Sequence, residues 1–208
     1  MTRFARRAAT NGPRGEAPVY PAREDTFLLL PFARSVRPGE RLLEIGTGNG
    51  LLALEAARWG ARVVATDRNP LALDALLRRA RAEHLSLAAV RTDLARGLGR
   101  FDRILANPPY LPTRPSERDP DRWENLALDG GPDGCRTTAR LVRTFRSHLE
   151  GSGTAYLLTS SRQAPTRLRA IRDRWIVGGG TVSSVARRDL EGERLEVWAL
   201  APPRRARG

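Results

Sequence analysis

The most specific chemical signal in this 208-residue chain is the run Asn107-Pro108-Pro109-Tyr110. It follows a short apolar stretch, residues 101–106, that predicts a β-strand. The side-chain oxygen of Asn107 and a backbone carbonyl of the proline pair can accept both hydrogens of a planar amide or amine, and Tyr110 can stack on the flat group that carries it. Such a nitrogen is a poor nucleophile, so holding it in line favours the charge that develops during group transfer. The run predicts a site that positions a planar nitrogen.

A purely structural interpretation of the same run is available. Asn-Pro and Pro-Pro are turn dipeptides, and the tyrosine after them can be a packing residue. That interpretation does not explain why the run stands at the carboxyl end of a strand, where a second chemical signal also falls.

The second signal is a glycine-rich turn between a predicted strand, residues 41–45, and a predicted helix, residues 51–59. In Glu44-Ile45-Gly46-Thr47-Gly48-Asn49-Gly50 the glycines permit a tight turn without a side chain between backbone and ligand, and the helix start offers free amide donors. A turn of this kind can equally bind a dinucleotide. Its acid precedes the glycines, however, which differs from the dinucleotide pattern and resembles motif I of class I methyltransferases.

Two acids follow in the order that a nucleoside site requires. Asp67 closes the second predicted strand, residues 62–66, where a carboxylate can accept both ribose hydroxyls. Thr92-Asp93-Leu94 closes the third, residues 87–91, where a polar and an apolar side chain can hold an adenine. The alternative for each acid is a helix N-cap or a surface charge, and Asp67 can cap the helix that begins near Pro70.

Strands and helices alternate along the chain, which predicts an α/β fold with a largely parallel sheet and helices on both faces. Further strands are expected at residues 154–159, 182–188 and 194–200, the last two as an antiparallel hairpin. Further helices are expected at residues 26–36, 70–82, 137–149 and 166–175. Pro31 should kink or interrupt the first helix, and residues 111–132 read as a Pro-rich polar loop.

The formal charge is +13, and all 36 basic residues are arginine. The positive charge has two interpretations. It reflects a compositional bias toward arginine, or it serves to bind RNA or a ribosome-associated partner. The single cysteine fits a reducing compartment, no spacing of Cys and His predicts a metal site, and no apolar run is long enough to cross a bilayer. Residues 1–18 read as a basic disordered tail rather than a transit peptide, residues 19–201 as the domain, and residues 202–208 as a basic C-terminal tail.

Taken together, these motifs resemble the HemK/PrmC family, in its compact archaeal and eukaryotic branch without an N-terminal helical domain. Residues 19–29, Val-Tyr-Pro-Ala-Arg-Glu-Asp-Thr-Phe-Leu-Leu, are similar to the start of that branch, although Pro21 directly follows Tyr20 and Arg23 replaces the first acid. Residues 126–134, Leu-Ala-Leu-Asp-Gly-Gly-Pro-Asp-Gly, resemble the Gly-Gly-x-x-Gly segment of the family.

The resemblance implies a Rossmann-like three-layer sandwich with seven strands, the cofactor S-adenosyl-L-methionine, and transfer to the glutamine N5 of the Gly-Gly-Gln loop of a class-1 peptide release factor in the cytoplasm. It implies that Asn107, Pro108, Pro109 and Tyr110 hold that glutamine. It implies cofactor contacts from Thr26, Glu44, Gly46, Thr47, Gly48, Gly50, Asp67, Asp93, Leu94 and Asn107.

Alternatives to this reading stay open. Relatives in that branch often need a small zinc-binding activator subunit, which the sequence does not reveal. The catalytic run also occurs in N6-adenine methyltransferases of RNA or DNA, and a binding protein that only keeps the fold is a remote third case. The absence of a recognition domain favours the protein substrate over nucleic acid.

Overall fold

The computed structural model describes residues 21–203. The tail predicted at residues 1–18, and residues 204–208 of the one predicted at the C-terminus, lie outside the described residues. In chain order the helices and strands are α1 (Glu24–Arg34), β1 (Arg41–Ile45), α2 (Leu51–Arg58), β2 (Arg62–Asp67), α3 (Pro70–Ala82), β3 (Leu87–Arg91), β4 (Phe101–Ala106), α4 (Arg122–Leu128), α5 (Arg136–His148), β5 (Leu149–Ser160), α6 (Pro165–Val177), β6 (Thr181–Leu190) and β7 (Glu193–Ala201).

The seven strands form one sheet in the order β3-β2-β1-β4-β5-β7-β6. The pairs among β1 to β5 are parallel, whereas β7 runs antiparallel to both β5 and β6. The predicted fold class is confirmed: a mostly parallel seven-stranded sheet ends in an antiparallel C-terminal hairpin. The chain order reverses direction at β1 and β4, and ligands bind at the carboxyl edge beside such a switch point.

Each face of the sheet has its own core, because successive strand side chains point to opposite faces. In β1, Leu42 joins a cluster with residues of α1, α2 and α3. The next residue, Leu43, joins a second cluster with residues of α5 and α6. The result is a sandwich of three layers in which the sheet is buried on both faces.

Pro31 does not interrupt α1, contrary to the expectation from sequence. The helix runs from Glu24 to Arg34, and the carbonyl of Pro31 accepts from the backbone N–H of Ser35 at 3.0 Å. Proline removes the hydrogen bond to the carbonyl of Phe27. Pro31 and Phe27 both lie on the exposed side of the helix, where solvent can replace that bond.

The expectation of a structureless loop at residues 111–132 was also wrong. A short 3-10 turn, Pro115–Glu117, and helix α4 lie within it. The carboxylate of Asp121 accepts from the backbone N–H of Trp123 at 2.8 Å and so caps α4. An aspartate directly before an apolar-containing segment is a helix-start signal, and the sequence analysis did not use it.

Candidate active site

The glycine-rich turn lies at the carboxyl edge of the sheet and is anchored to the neighbouring strand. The backbone N–H groups of Gly46 and Thr47 both donate to the carbonyl of Thr66, at 2.8 and 2.9 Å. Gly46 and Gly48 have positive φ angles of 76° and 51°, which favours glycine. A Cβ at either position would meet no atom within 4 Å. The backbone therefore borders open space on which a ligand can lie.

Gly50, at the end of the same turn, has a different environment. A Cβ there would lie 2.6 Å from Cδ1 of Leu76 on α3. The glycine leaves room for the Leu76 side chain and adopts a φ of 76°, so packing and backbone conformation together explain why this residue is a glycine.

Glu44 is buried and shapes the turn from within. Its Oε2 accepts from the hydroxyl of Thr47 at 2.7 Å and from the backbone N–H of Ala53 at 2.9 Å. Burial raises the pKa of Glu44 to about 8, although both hydrogen bonds act in the opposite direction. The side chain is therefore mostly protonated at neutral pH and ties the turn to the first turn of α2.

Asp67, at the end of β2, faces the glycine-rich turn. Its Oδ2 accepts from the backbone N–H of Gly48 at 3.1 Å, and its Oδ1 accepts from that of Asn69 at 2.8 Å. The N-cap of α3 is Asn69, whose side chain accepts from the N–H of Leu71 at 3.0 Å. Because Asn69 performs the capping, Asp67 is not the N-cap. Each of its oxygens keeps a further lone pair for a hydroxyl donor.

The segment after β3 holds an unusual backbone conformation. Leu94 has a φ of 60°, which costs a non-glycine residue on the order of 1–3 kcal/mol. The hydroxyl of Thr66 stabilises it by donating to the Leu94 carbonyl at 2.8 Å. Asp93 forms an ion pair with Arg140 of α5. The sequence analysis did not predict Arg140 as a partner of Asp93, because the two residues are 47 positions apart and no local pattern links them.

Asn107, at the end of β4, is half-buried and contacts the first turn of α1. Its Nδ2 donates to the hydroxyl of Thr26 at 3.4 Å. That hydroxyl donates in turn to Oδ1 of Asp25 at 3.3 Å, and both α1 residues are buried. This arrangement directs the amide nitrogen of Asn107 toward α1 and leaves its oxygen as the acceptor. Asp25 was not among the predicted site residues.

The loop after Asn107 is held by the Gly-Gly-x-x-Gly segment. The N–H of Gly130 donates to the carbonyl of Leu111 at 2.9 Å, and the N–H of Thr113 donates to that of Gly131 at 2.9 Å. A Cβ on Gly134 would lie 2.4 Å from the carbonyl oxygen of Tyr110, and one on Gly130 2.8 Å from the carbonyl carbon. The glycines are therefore required for close approach to the loop that contains Pro108, Pro109 and Tyr110.

Gln163, which the sequence analysis did not predict, holds the Gly-Gly-x-x-Gly segment in place. It is 1% exposed. Its Nε2 donates to the carbonyl of Gly134 and to the hydroxyl of Thr138, each at 2.8 Å, and its Oε1 accepts from the N–H of Ser160 at 3.0 Å. One buried amide thus connects the end of β5, the start of α5 and the segment that supports Tyr110.

Within residues 21–203, no three His, Cys, Asp or Glu side chains are grouped so that they could bind a metal ion. No helix in that range is long and apolar enough to cross a membrane.

Comparison with known proteins agrees with this geometry. The family model described as the methyltransferase small domain matches residues 25–120, which include every predicted site residue. The fold and the site define a class I methyltransferase.

Among curated proteins, a candidate protein N5-glutamine methyltransferase of Methanocaldococcus jannaschii is 37% identical, with 69% of this chain and 73% of that protein covered. Methyltransferase HEMK2 of Mus musculus is 34% identical, with 72% and 75% covered. The release factor glutamine methyltransferase of Deinococcus radiodurans is 39% identical, and the chain spans 58% of its length. The chain belongs to the HemK/PrmC family of glutamine methyltransferases.

A solved structure, the E. cuniculi Mtq2-Trm112 complex responsible for methylation of the eRF1 translation termination factor, is similar with a TM-score of 0.68. The two chains are 24% identical over 88% of this chain and 98% of that one. At this identity the likeness shows a common fold.

Proposed function

We propose that this protein transfers a methyl group from S-adenosyl-L-methionine to the side-chain amide nitrogen of the glutamine in the Gly-Gly-Gln loop of a class-1 release factor, in the cytoplasm. The observation that carries the proposal is the orientation of Asn107. Its Nδ2 is engaged by Thr26 at 3.4 Å, so its oxygen is the acceptor at the carboxyl end of β4. The names of the relatives support the same substrate.

The residues at the carboxyl edge fit the cofactor chemically. Gly46 and Gly48 present backbone without side chains, Asp67 offers lone pairs to ribose hydroxyls, and Asp93 with Leu94 offers a polar and an apolar contact to an adenine. Thr26, Glu44 and Thr47 complete the set, and Gly50 contributes by packing. When bound, the cofactor supplies an electrophilic methyl group.

The chain's own residues position the nitrogen that receives the methyl group. The Asn107 oxygen and a backbone carbonyl of the Pro108-Pro109 pair accept its two hydrogens, and the Tyr110 ring lies against the flat amide. These acceptors stabilise positive charge as it develops on the nitrogen. One of the two hydrogens then leaves as a proton to solvent, which gives the neutral N-methyl amide. Because the amide orientation is set before substrate arrives, little reorganisation is needed during the reaction.

The proposal includes a partner. The solved E. cuniculi relative is a complex with a second subunit, and we propose that a small zinc-binding activator subunit also assists this chain. The test is methyl transfer measured with and without such a subunit. A rate that does not change on addition of the subunit removes this part of the proposal and leaves the reaction itself standing.

The substrate is tested with radiolabelled S-adenosyl-L-methionine and three acceptors: the release factor of the same source, its variant with Gln→Ala in the Gly-Gly-Gln loop, and total RNA. Label on the intact factor and none on the variant is the expected result. Label found only in RNA would instead assign an N6-adenine activity, which shares the catalytic run. Cofactor bound without transfer to any acceptor would identify a binding protein.

A further inference from the structure

Arginine is unevenly distributed between the two helical layers. Helices α5 and α6 together carry eight arginines and one aspartate. Helices α1, α2 and α3, on the opposite face, carry five arginines and four carboxylates. A compositional bias alone would enrich both faces alike. The asymmetry therefore calls for a local cause.

Ion pairs neutralise only part of the arginine in each layer. On the α1–α3 side, Arg34 and Arg58 pair with Glu55 and Arg78 pairs with Asp74, whereas Arg79 and Arg81 have no ion pair within residues 21–203. On the α5–α6 side, Arg143 and Arg169 have no ion pair within residues 21–203, and neither does the nearby Arg96. These three guanidinium groups are exposed and available to an external anion.

Two of these exposed guanidinium groups, those of Arg96 and Arg143, line a groove. It lies between the segment after β3 and the outer face of α5, with a volume of about 340 Å³. Its polar lining includes Arg96, Arg143, Ser147 and Arg140, which neutralises Asp93. The hydroxyl of Thr144 and Nδ1 of His148 also line it but are directed to backbone carbonyls within α5. Guanidinium and hydroxyl donors suit the oxygens of phosphate groups.

The groove continues into a broader basic surface. Arg136, Arg140 and Arg143 recur at helical spacing, so they form one stripe about 10 Å long on α5. Arg146 donates to the carbonyls of Arg174, Trp175 and Gly178 at the end of α6. The two helices therefore lie side by side, and the arginines of α6 belong to the same helical layer as the stripe.

We propose that this surface, formed by the arginines of α5 and α6 together with Arg96, binds the phosphodiester backbone of a structured RNA. The aromatic residues of the two helices, Phe145 and Trp175, are buried. The two helices thus offer no exposed aromatic ring on which the bases of a single strand could stack. They also lack the exposed aromatic anchor that dominates many protein–protein interfaces, which disfavours a protein partner. Binding is to phosphates and independent of sequence. The inference goes beyond the proposed methyl transfer and does not depend on it.

The test measures binding of a fluorescent RNA hairpin by anisotropy across a series of KCl concentrations. The triple variant Arg96→Gln, Arg143→Gln, Arg169→Gln should bind at least about tenfold more weakly and lose about one unit of salt slope for each arginine removed. The matched control, Arg37→Gln, Arg62→Gln, Arg81→Gln, has the same net charge and alters residues outside this surface. It should change the affinity less than about twofold.

Three results would overturn the inference. Equal weakening in both triple variants would show that affinity follows net charge and not this surface. Competition by a polyglutamate peptide as strong as that by the hairpin would assign the surface to an acidic protein. A DNA duplex that binds as tightly as the RNA would remove the assignment to RNA. Circular dichroism and thermal unfolding of each variant establish that it is folded.

Discussion

At the scale of single residues, the side-chain amide of Asn107, at the end of β4, is oriented by a hydrogen bond to Thr26 in α1. Thr26 accepts from Asn107 because its own hydrogen is directed to the buried carboxylate of Asp25. A hydroxyl can do both, whereas a methyl group can do neither. The side-chain amide of Asn107 is thus oriented by two residues more than eighty positions earlier in the chain.

Asn107→Ala should abolish methyl transfer while leaving most of the cofactor affinity. The oxygen that accepts from the substrate nitrogen is lost, whereas the glycine-rich turn and Asp67 remain. We expect turnover to fall by about 10²–10³, as when one preorganised polar group is removed. Turnover comes from radiolabel transfer and affinity from calorimetry. Normal turnover would contradict the mechanism, and Thr26→Val should give a smaller loss in the same direction.

A second prediction concerns pH and Glu44, whose pKa is raised from 4.5 to about 8. Between these values the unfolded chain has an ionised Glu44 and the folded chain a protonated one, so folding takes up a proton. The Glu44 contribution to stability is fully present below pH 4.5 and falls as the pH rises to about 8, by at most about 1.4 kcal/mol per pH unit.

Glu44→Gln tests this, because the amide stays neutral and its oxygen can still accept from Thr47 and Ala53. Relative to the native chain, the variant should gain stability as pH rises from about 5 to about 8. Urea unfolding at each pH measures the difference. Parallel pH profiles for the two proteins would mean that Glu44 is ionised in the folded state.

At the scale of elements, the loop after β4 owes its shape to a segment that follows α4. Residues 128–131 pair with Leu111 and Thr113 through backbone hydrogen bonds, and Gln163 holds Gly134 from the other side. Neither contact involves the side chains of residues 107–110. The backbone at Tyr110 is therefore held by contacts between loops, while its side chain packs against the core cluster that includes residues of α1, α2 and α3.

Gly134→Ala should lower turnover, because its Cβ would overlap the Tyr110 carbonyl oxygen and its φ of 73° disfavours alanine. A displacement of the loop near 1 Å can cost about 10²-fold in rate. Gly151→Ala is the matched control, since a Cβ there meets nothing within 4 Å. Equal turnover in the two variants would show that the segment does not position the loop.

Sequence reasoning predicted the strands well, because short apolar runs between turn residues have few alternatives. It also predicted that the glycine-rich turn and Asn107 meet, since the carboxyl ends of parallel strands lie at one edge. It could not predict that Arg140 pairs with Asp93 or that Gln163 holds Gly134. Local patterns determine where elements end, whereas side-chain pairing between distant elements depends on packing.

At the scale of the whole molecule, the two sides of the sheet serve different purposes. Helices α1, α2 and α3 carry five arginines and four carboxylates, and α1 also contacts Asn107 through Thr26. Helices α5 and α6 carry eight arginines and one aspartate. The positive charge that composition alone left ambiguous is therefore denser on the α5–α6 side of the sheet.

The last prediction concerns the extent of the folded domain. Both core clusters are built from residues between Leu29 and Leu200, so a chain restricted to residues 19–203 should contain the complete fold. We expect its free energy of unfolding in urea to match that of the full chain within about 0.5 kcal/mol, the range of changes that touch no core or cap. A loss of several kcal/mol would show that the removed ends pack against the domain. Methyl transfer by the shortened chain, measured in parallel, tests whether those ends also serve the reaction.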